Sequence, residues 1–380
     1  MTLTKIIATL GPASEKFKTI FGLIEAGADV FRLNLKHNTL NWHQNIIRKI
    51  KRASKIIKKP VGILLDLPDL SFKPTLQRLS LASKEEVDFL AISLIKKKED
   101  IETLKKWAKR MSFSPTILAK IETKEALKNL DSIIEAASGI MVARGDLGKK
   151  IPIEQVPHYQ KQIIKRCIEK GKPVVTATQM LASMVENPSP TRAEVSDVAN
   201  AILDYTDAVM LSEETAVGKY PIRVLKIMKR ICNFWERKRN PISGVCLEFP
   251  NQTSIMCYSA YQMCENPHWA KKNIKALVVL TKSGTTAHML SRLRPNLPIF
   301  SLTSDKKLRD RLCIVYGIIP VYFKTKISIY SHKTPKEIKN ALLLVKKNGK
   351  LKKGDQVVFL YAEDWKELGK ANVLRIQSIP

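Results

Sequence analysis

The 380-residue chain has no uncharged apolar run of 18 or more residues, so nothing in it reads as a transmembrane helix. Its start, Met1-Thr2-Leu3-Thr4-Lys5-Ile6, lacks the apolar core of a signal peptide and leads straight into a strand pattern, so the expected setting is the cytoplasm. The six cysteines (Cys167, Cys232, Cys246, Cys257, Cys264, Cys313) include no C-x-x-C pair, and neither a zinc knuckle nor a disulfide framework is expected. Cys257 and Cys264, seven apart, are expected to face a core together. Acidic residues are scarce, 35 against 65 basic ones, for a formal charge of +30. Such a charge suits a polyanion when cations gather with aromatics. Here Lys51 to Lys59, Lys96 to Lys98 and Lys346 to Lys353 lie along helix faces and turns, so solvated surfaces are the expectation and nucleic acid is not.

What is present is enough apolar residue, 44%, for more than one globular core. Over the first 240 residues short apolar runs alternate with longer amphipathic ones, the pattern of repeated βα units. Eight strands are predicted: 3–10, 28–35, 61–67, 89–95, 116–121, 139–143, 173–178 and 208–211. Eight such units close into a (β/α)₈ TIM barrel, with its site at the C-terminal strand ends. After the breaker Asn240-Pro241 a smaller α/β domain is expected, giving domains of 1–240 and 241–380. In it, Thr281-Lys282-Ser283-Gly284-Thr285-Thr286 forms a hydroxyl-rich turn ahead of a helix, a place for a phosphate or for a simple N-cap.

Two consecutive barrel strands end in charge. Alternation puts Lys120 and Glu122 on one side of the fifth strand, and on the same logic Arg144 and Asp146 on one side of the sixth. The other strand ends add Arg32, Asn34, Lys36, Asp66, Ser93, Lys96, Thr176, Thr178, Ser212, Glu213 and Glu214. Singly each is an ordinary loop residue; together they outline a site for a metal and an anion.

The stretch Ile140-Met141-Val142-Ala143-Arg144-Gly145-Asp146-Leu147-Gly148, with Lys120-Ile121-Glu122, Ala177-Thr178-Gln179-Met180-Leu181, Pro190-Thr191-Arg192-Ala193-Glu194 and Ser196-Asp197-Val198-Ala199-Asn200-Ala201, resembles the pyruvate kinase family. The resemblance extends to Arg32-Leu33-Asn34 and to Leu280 through Ala287. It implies a phosphotransferase that moves the phosphoryl group of phosphoenolpyruvate to ADP, giving pyruvate and ATP. By it Glu122 and Asp146 hold Mg²⁺ or Mn²⁺, while Lys120 and Arg32 meet the phosphoryl group. The Gly145 and Asp146 N–H groups meet the substrate carboxylate, and Thr178 and Ser212 flank the carbon that is protonated. It also implies a sugar-phosphate effector at residues 281–286 and a homo-oligomer, a tetramer by analogy, through the 190–194 turn.

Four departures stand out. The family's lid domain, inserted after the third strand, is expected to be missing and reduced to a short loop at about 68–87. The family's K⁺ site keeps Asn34 and Asp66 but has Lys36 and Leu67 in its other two positions, so the Lys36 ammonium is expected to replace K⁺. Beyond Asp66, Lys73 alone stands where the family has a phosphate-contacting Arg, and Glu213 replaces a glycine. Two alternatives stay open: a Mg²⁺-dependent enolpyruvate or oxoacid lyase or decarboxylase without nucleotide, and a weakly catalytic regulatory or polyanion-binding relative.

Overall fold

A strand such as Gly62–Leu67, buried at every residue, cannot lie at a surface; it needs a packed layer on each face. Eight strands, buried throughout except at Asn34 and Thr116, are hydrogen-bonded in sequence order into a closed barrel: β1 (Lys5–Thr9), β2 (Val30–Asn34), β3 (Gly62–Leu67), β4 (Phe89–Ile92), β5 (Thr116–Ile121), β6 (Gly139–Ala143), β7 (Val174–Ala177) and β8 (Ala208–Leu211). Neighbouring pairs are parallel, including β1 with β8. The computed structural model describes residues 2–242, 244–265, 273–324, 335–362 and 371–380.

The helices cover the ring with one apolar face each. In α2 (Leu40–Ile57) Ile46, Ile47, Ile50 and Ala53 are buried while Arg52 and Lys55 face solvent or lie at its edge, and Thr39 caps the first turn by accepting from the Trp42 N–H. The other outer helices are α1 (Phe17–Ala26), α3 (Phe72–Lys84), α4 (Lys98–Arg110), α5 (Lys124–Lys128) and α6 (Leu130–Ala136). They continue with α7 (Arg144–Leu147), α8 (Val156–Glu169), α9 (Arg192–Leu203), α10 (Glu213–Ala216) and α11 (Pro221–Glu236).

The expected loop at 68–87 needs correction, because α3 fills most of it. Thr75, Leu79 and Ala82 recur at helical spacing and are buried between α2 and α4, so the third unit is an ordinary βα unit with a short entry, Pro68 to Ser71.

At the N-terminal rim, acids close the ring. Asp29 accepts the Ile6 N–H at 3.0 Å, Asp88 that of Ile63 at 2.9 Å, and Asp207 that of Val174 at 3.0 Å. Glu236, at the end of α11, accepts from Leu3 and Thr4 at 3.0 and 2.7 Å. Each therefore satisfies a backbone donor that a buried strand end would otherwise leave unpaired.

The contact pattern separates a second unit, Asn240–Pro380. Its five-stranded sheet runs β11 (Ile318–Tyr322), β10 (Ile299–Thr303), β9 (Ile274–Leu280), β12 (Gln356–Tyr361), β13 (Val373–Ser378), with β13 the antiparallel edge. Helices α12 (Gln252–Glu265), α13 (Thr285–Ser291), α14 (Lys306–Arg311) and α15 (Pro335–Gly349) accompany it. Among the described residues no helix is long and apolar enough to cross a membrane.

Candidate functional site

Strand register assembles the centre of the site. Thr9 lies beside Arg32 across β1 and β2, and Asn34 beside Asp66 across β2 and β3. The Arg32 guanidinium donates to Asp66 Oδ2 through Nε at 2.8 Å, lies 2.7 Å from it through a second nitrogen, and reaches Thr9 Oγ1 at 3.1 Å. Lys120 Nζ donates to Ser93 Oγ at 2.7 Å and lies 2.7 Å from Glu122 Oε1 and 3.4 Å from Asp66 Oδ1. All four charged residues are buried. Two cations and two carboxylates thus offset one another formally, which is what makes such a burial tolerable. Burial pushes the Asp66 carboxyl up, and the Arg32 and then Lys120 charges more than reverse it, leaving Asp66 below its ordinary value.

Alternation therefore describes β5 correctly: Lys120 and Glu122 meet. Glu122 Oε2 accepts from the Leu94 N–H at 2.9 Å. Oε1, although close to Lys120, has no aligned hydrogen-bond donor and is buried. A buried carboxylate oxygen whose neighbour is only the Lys120 ammonium suits a divalent metal once that ammonium turns to a substrate.

The same logic fails at β6, which ends at Ala143. Residues 144–147 form a helical turn, so Arg144 and Asp146 do not share a side. Arg144 is buried and bonds Asp197 at 2.7 Å, Gln160 at 3.3 Å, and the Thr178 and Gln179 carbonyls at 2.8 and 3.2 Å. It fixes the loop after β7, where Thr178 and Gln179 have φ of 70° and 53°. Asp146 is exposed and pairs with Lys149 at 3.0 Å. The Gly145 N–H donates to Thr178 Oγ1 at 2.8 Å, and that hydroxyl donates to the Ala177 carbonyl at 2.6 Å, so both groups are already engaged with each other.

Around β8, Ser212 Oγ is buried without a partner, while Glu214 accepts the N–H groups of Ser212 and Leu181 at 2.6 and 3.1 Å. Glu213 faces solvent. Thr176 is tied to Thr206 at 3.0 Å, away from the charge cluster. The 190–194 motif has a local role: Thr191 and Glu194 form a capping box on α9, and Glu194 also holds Ser183.

The K⁺ replacement needs correction. Lys36 is exposed and makes no ion pair among the described residues; Asp66 is balanced by Arg32 and Lys120 instead. Asn34 Oδ1 accepts the Lys36 N–H at 3.1 Å, and Leu67 is buried and apolar. These residues do not assemble a monovalent-cation cage. Lys73 is exposed in the first turn of α3. Three participants carry little sequence signal: Thr9; Ser93, which alternation placed at a strand end without a role; and Leu94, whose contribution is a backbone N–H.

In the second unit, the 281–286 turn is built around Gly284, at φ 89°. Its N–H donates to Thr281 Oγ1 at 2.9 Å, and Ser283 and Thr285 hydroxyls lie 2.9 Å apart. No side chain caps α13, and Lys282, Ser283 and Thr285 face solvent while Thr286 is buried. Cys257 and Cys264 are buried, as their spacing suggested, and burial pushes both thiols up to about 12. Thiolate chemistry is not expected of them.

Comparison with known proteins agrees with this architecture. The family profile described as pyruvate kinase, barrel domain, matches residues 1–73 and 65–225, and that described as pyruvate kinase, alpha/beta domain, matches 257–377. A pyruvate kinase of Thermotoga maritima is 30% identical over 479 positions, covering all of both chains. One of Geobacillus stearothermophilus is 31% identical over 479 positions, covering 99% of this chain and 80% of the relative. The barrel match is split where α3 begins, and the alignments are longer than the 380 residues present, so the relatives carry a segment that this chain lacks between β3 and α3. With both domain profiles matched across the barrel and the second unit, the chain belongs to the pyruvate kinase family, in a form without the lid.

Proposed function

We propose that the barrel transfers the phosphoryl group of phosphoenolpyruvate to ADP, yielding pyruvate and ATP. The observation that carries this reading is the contact of Lys120 with Glu122 and Asp66 beside Arg32 at the mouth of the ring. Glu122 and Asp146 are the residues that would hold Mg²⁺ or Mn²⁺. Among the described residues no three acids, histidines or cysteines gather to form a metal site alone, so substrate oxygens must complete the shell. Bound there, a divalent ion supplies charge to the substrate's carboxylate and phosphate.

Lys120 is placed to neutralise charge on the moving phosphoryl group and the nascent enolate, and Arg32 to grip the phosphoryl oxygens. Both must loosen their hold on Asp66 or Glu122 to do so. Thr178, a weak acid engaged with Gly145, orients a water that protonates the enolate carbon rather than giving up its own proton. Gly145 and Asp146 N–H groups take the substrate carboxylate once Thr178 turns away, and Ser212, with its buried unpaired hydroxyl, lies by the same carbon. Without a lid, nucleotide binding falls to exposed side chains such as Lys73, and water is less excluded, so transfer is slow rather than abolished.

K⁺ is not required on this reading, because Arg32 and Lys120 supply the charge at Asp66. We place the protein in the cytoplasm. A homo-oligomer contact is assigned to an open groove of about 1080 Å³ lined by Pro190, Val195, Ile231, Phe234 and Trp235. The turn at 281–286 is assigned to a phosphorylated effector.

A coupled assay with phosphoenolpyruvate, ADP and Mg²⁺ tests the reading, with Lys120→Met as control. Pyruvate and ATP formed in equal amounts, and lost in the variant, support it. The missing lid favours one second reading, an enolpyruvate-handling barrel without nucleotide; pyruvate released with no ATP would select that reading instead.

A further inference from the structure

Lys120 carries three N–H donors and has three oxygens around them: Ser93 Oγ at 2.7 Å, Glu122 Oε1 at 2.7 Å and Asp66 Oδ1 at 3.4 Å. The three contacts differ in kind. That with Ser93 is an aligned hydrogen bond, whereas Glu122 Oε1 is paired by charge without such alignment and Asp66 stands farther off. Attraction between charges has little directional preference and a hydrogen bond has much, so the carboxylates hold the positive charge in place and the hydroxyl sets where it points.

Strand register puts the hydroxyl there. Ala91 of β4 lies beside Asp66 of β3 and Leu118 of β5, and the side chains two residues on, Ser93 and Lys120, return to the same side. The Ser93 N–H still bonds the Leu67 carbonyl at 3.1 Å, one residue past the end of β4. Its backbone is therefore held by the sheet, and the hydroxyl is left to accept from Lys120 while it donates to Asp66 Oδ1 at 3.5 Å.

We infer that Ser93 is a positioning residue: its hydroxyl is the pivot about which the Lys120 ammonium turns from the carboxylates to a phosphoryl oxygen. As Lys120 loosens its hold on Glu122 or Asp66, the bond to Ser93 is the one it keeps, and Ser93 stays tied to Asp66. The inference rests on the reading that Lys120 meets the phosphoryl group. Losing a hydrogen bond that directs a moving charge should lower kcat about 10-fold and leave KM nearly unchanged.

The test compares the full chain with Ser93→Ala, which removes the hydroxyl, and Ser93→Thr, which keeps it. Steady-state transfer from phosphoenolpyruvate to ADP should show the kcat loss in Ser93→Ala, with KM for phosphoenolpyruvate within about 2-fold and near-native kcat in Ser93→Thr. Native kcat in Ser93→Ala, or an equal loss in both variants, would overturn the inference. A second readout needs no turnover: the ammonium protons of Lys120, observed by NMR with ¹⁵N-labelled lysine and assigned by their absence in Lys120→Met. They should exchange with water about 10-fold faster in Ser93→Ala and at the native rate in Ser93→Thr. Native exchange in Ser93→Ala overturns the positioning role whether or not the chain transfers phosphate. Faster exchange there, in a chain whose native form transfers none, would sink the proposed function and leave Ser93 as the group that holds Lys120.

Discussion

The two rims of the barrel use the same residue types for different ends. At the N-terminal rim Asp29, Asp88, Asp207 and Glu236 each accept a backbone N–H from the start of the chain or of a strand. At the C-terminal rim Glu122 gives one oxygen to the backbone and sets the other 2.7 Å from the mobile Lys120 ammonium, while Asp146 stands in solvent beside Lys149. The lower rim spends its charge on closure. The upper rim keeps part of its charge available, and that reserve is what chemistry needs. Arg144 is the exception, a buried upper-rim cation that pairs with Asp197 and holds the carbonyls of the loop after β7.

The contrast is best broken at its strongest point. Lys120→Met should lower phosphoryl transfer by about 10³-fold, since it removes a preorganised charge, and should tighten Mn²⁺ binding because Glu122 loses its competing ammonium. A coupled assay and a Mn²⁺ titration read the two effects; unchanged turnover would erase the distinction between rims. Arg144→Ala should cost about 3 kcal/mol of stability, measured by denaturant unfolding, because it leaves Thr178 and Gln179 carbonyls without their donor. Asp207→Ala should cost about 2 kcal/mol by stranding the Val174 N–H, with turnover per folded molecule unchanged.

Acid unfolding sharpens the comparison further. Asp66 has a folded value below its ordinary one, so the stability it contributes is complete above the unfolded value, about 3.9, and is lost as pH falls through the depressed folded value. Denaturant titrations across that range should show a shallower acid limb in Asp66→Asn than in the native chain. The smallest effect belongs to Asp146→Asn, where an exposed ion pair is lost and stability should move by less than about 0.5 kcal/mol. Its Mn²⁺ affinity should nevertheless fall, which a lower-rim acid would not show.

Much of this was legible in the chain because a β strand imposes a period of two. Lys120 and Glu122 could be placed together from spacing alone, and the eight strands followed from apolar runs of strand length. Arg144 and Asp146 could not, since β6 ends at Ala143, where the apolar pattern ends it, and the helical turn that follows sets a different period. Lys36 was misplaced for a related reason: a long side chain just past a strand end is as free to reach solvent as to turn inward. Leu94 was invisible, because its contribution to the site is a backbone N–H, which any residue but proline would supply.

Pro68 to Ser71 joins β3 to α3 without any residue that the ring relies on for its closure. A connector of that kind is a natural splice point. A folded module grafted there, with its ends close together, should leave the eight strands paired as they are, so the lid can be restored to this scaffold as a separable accessory.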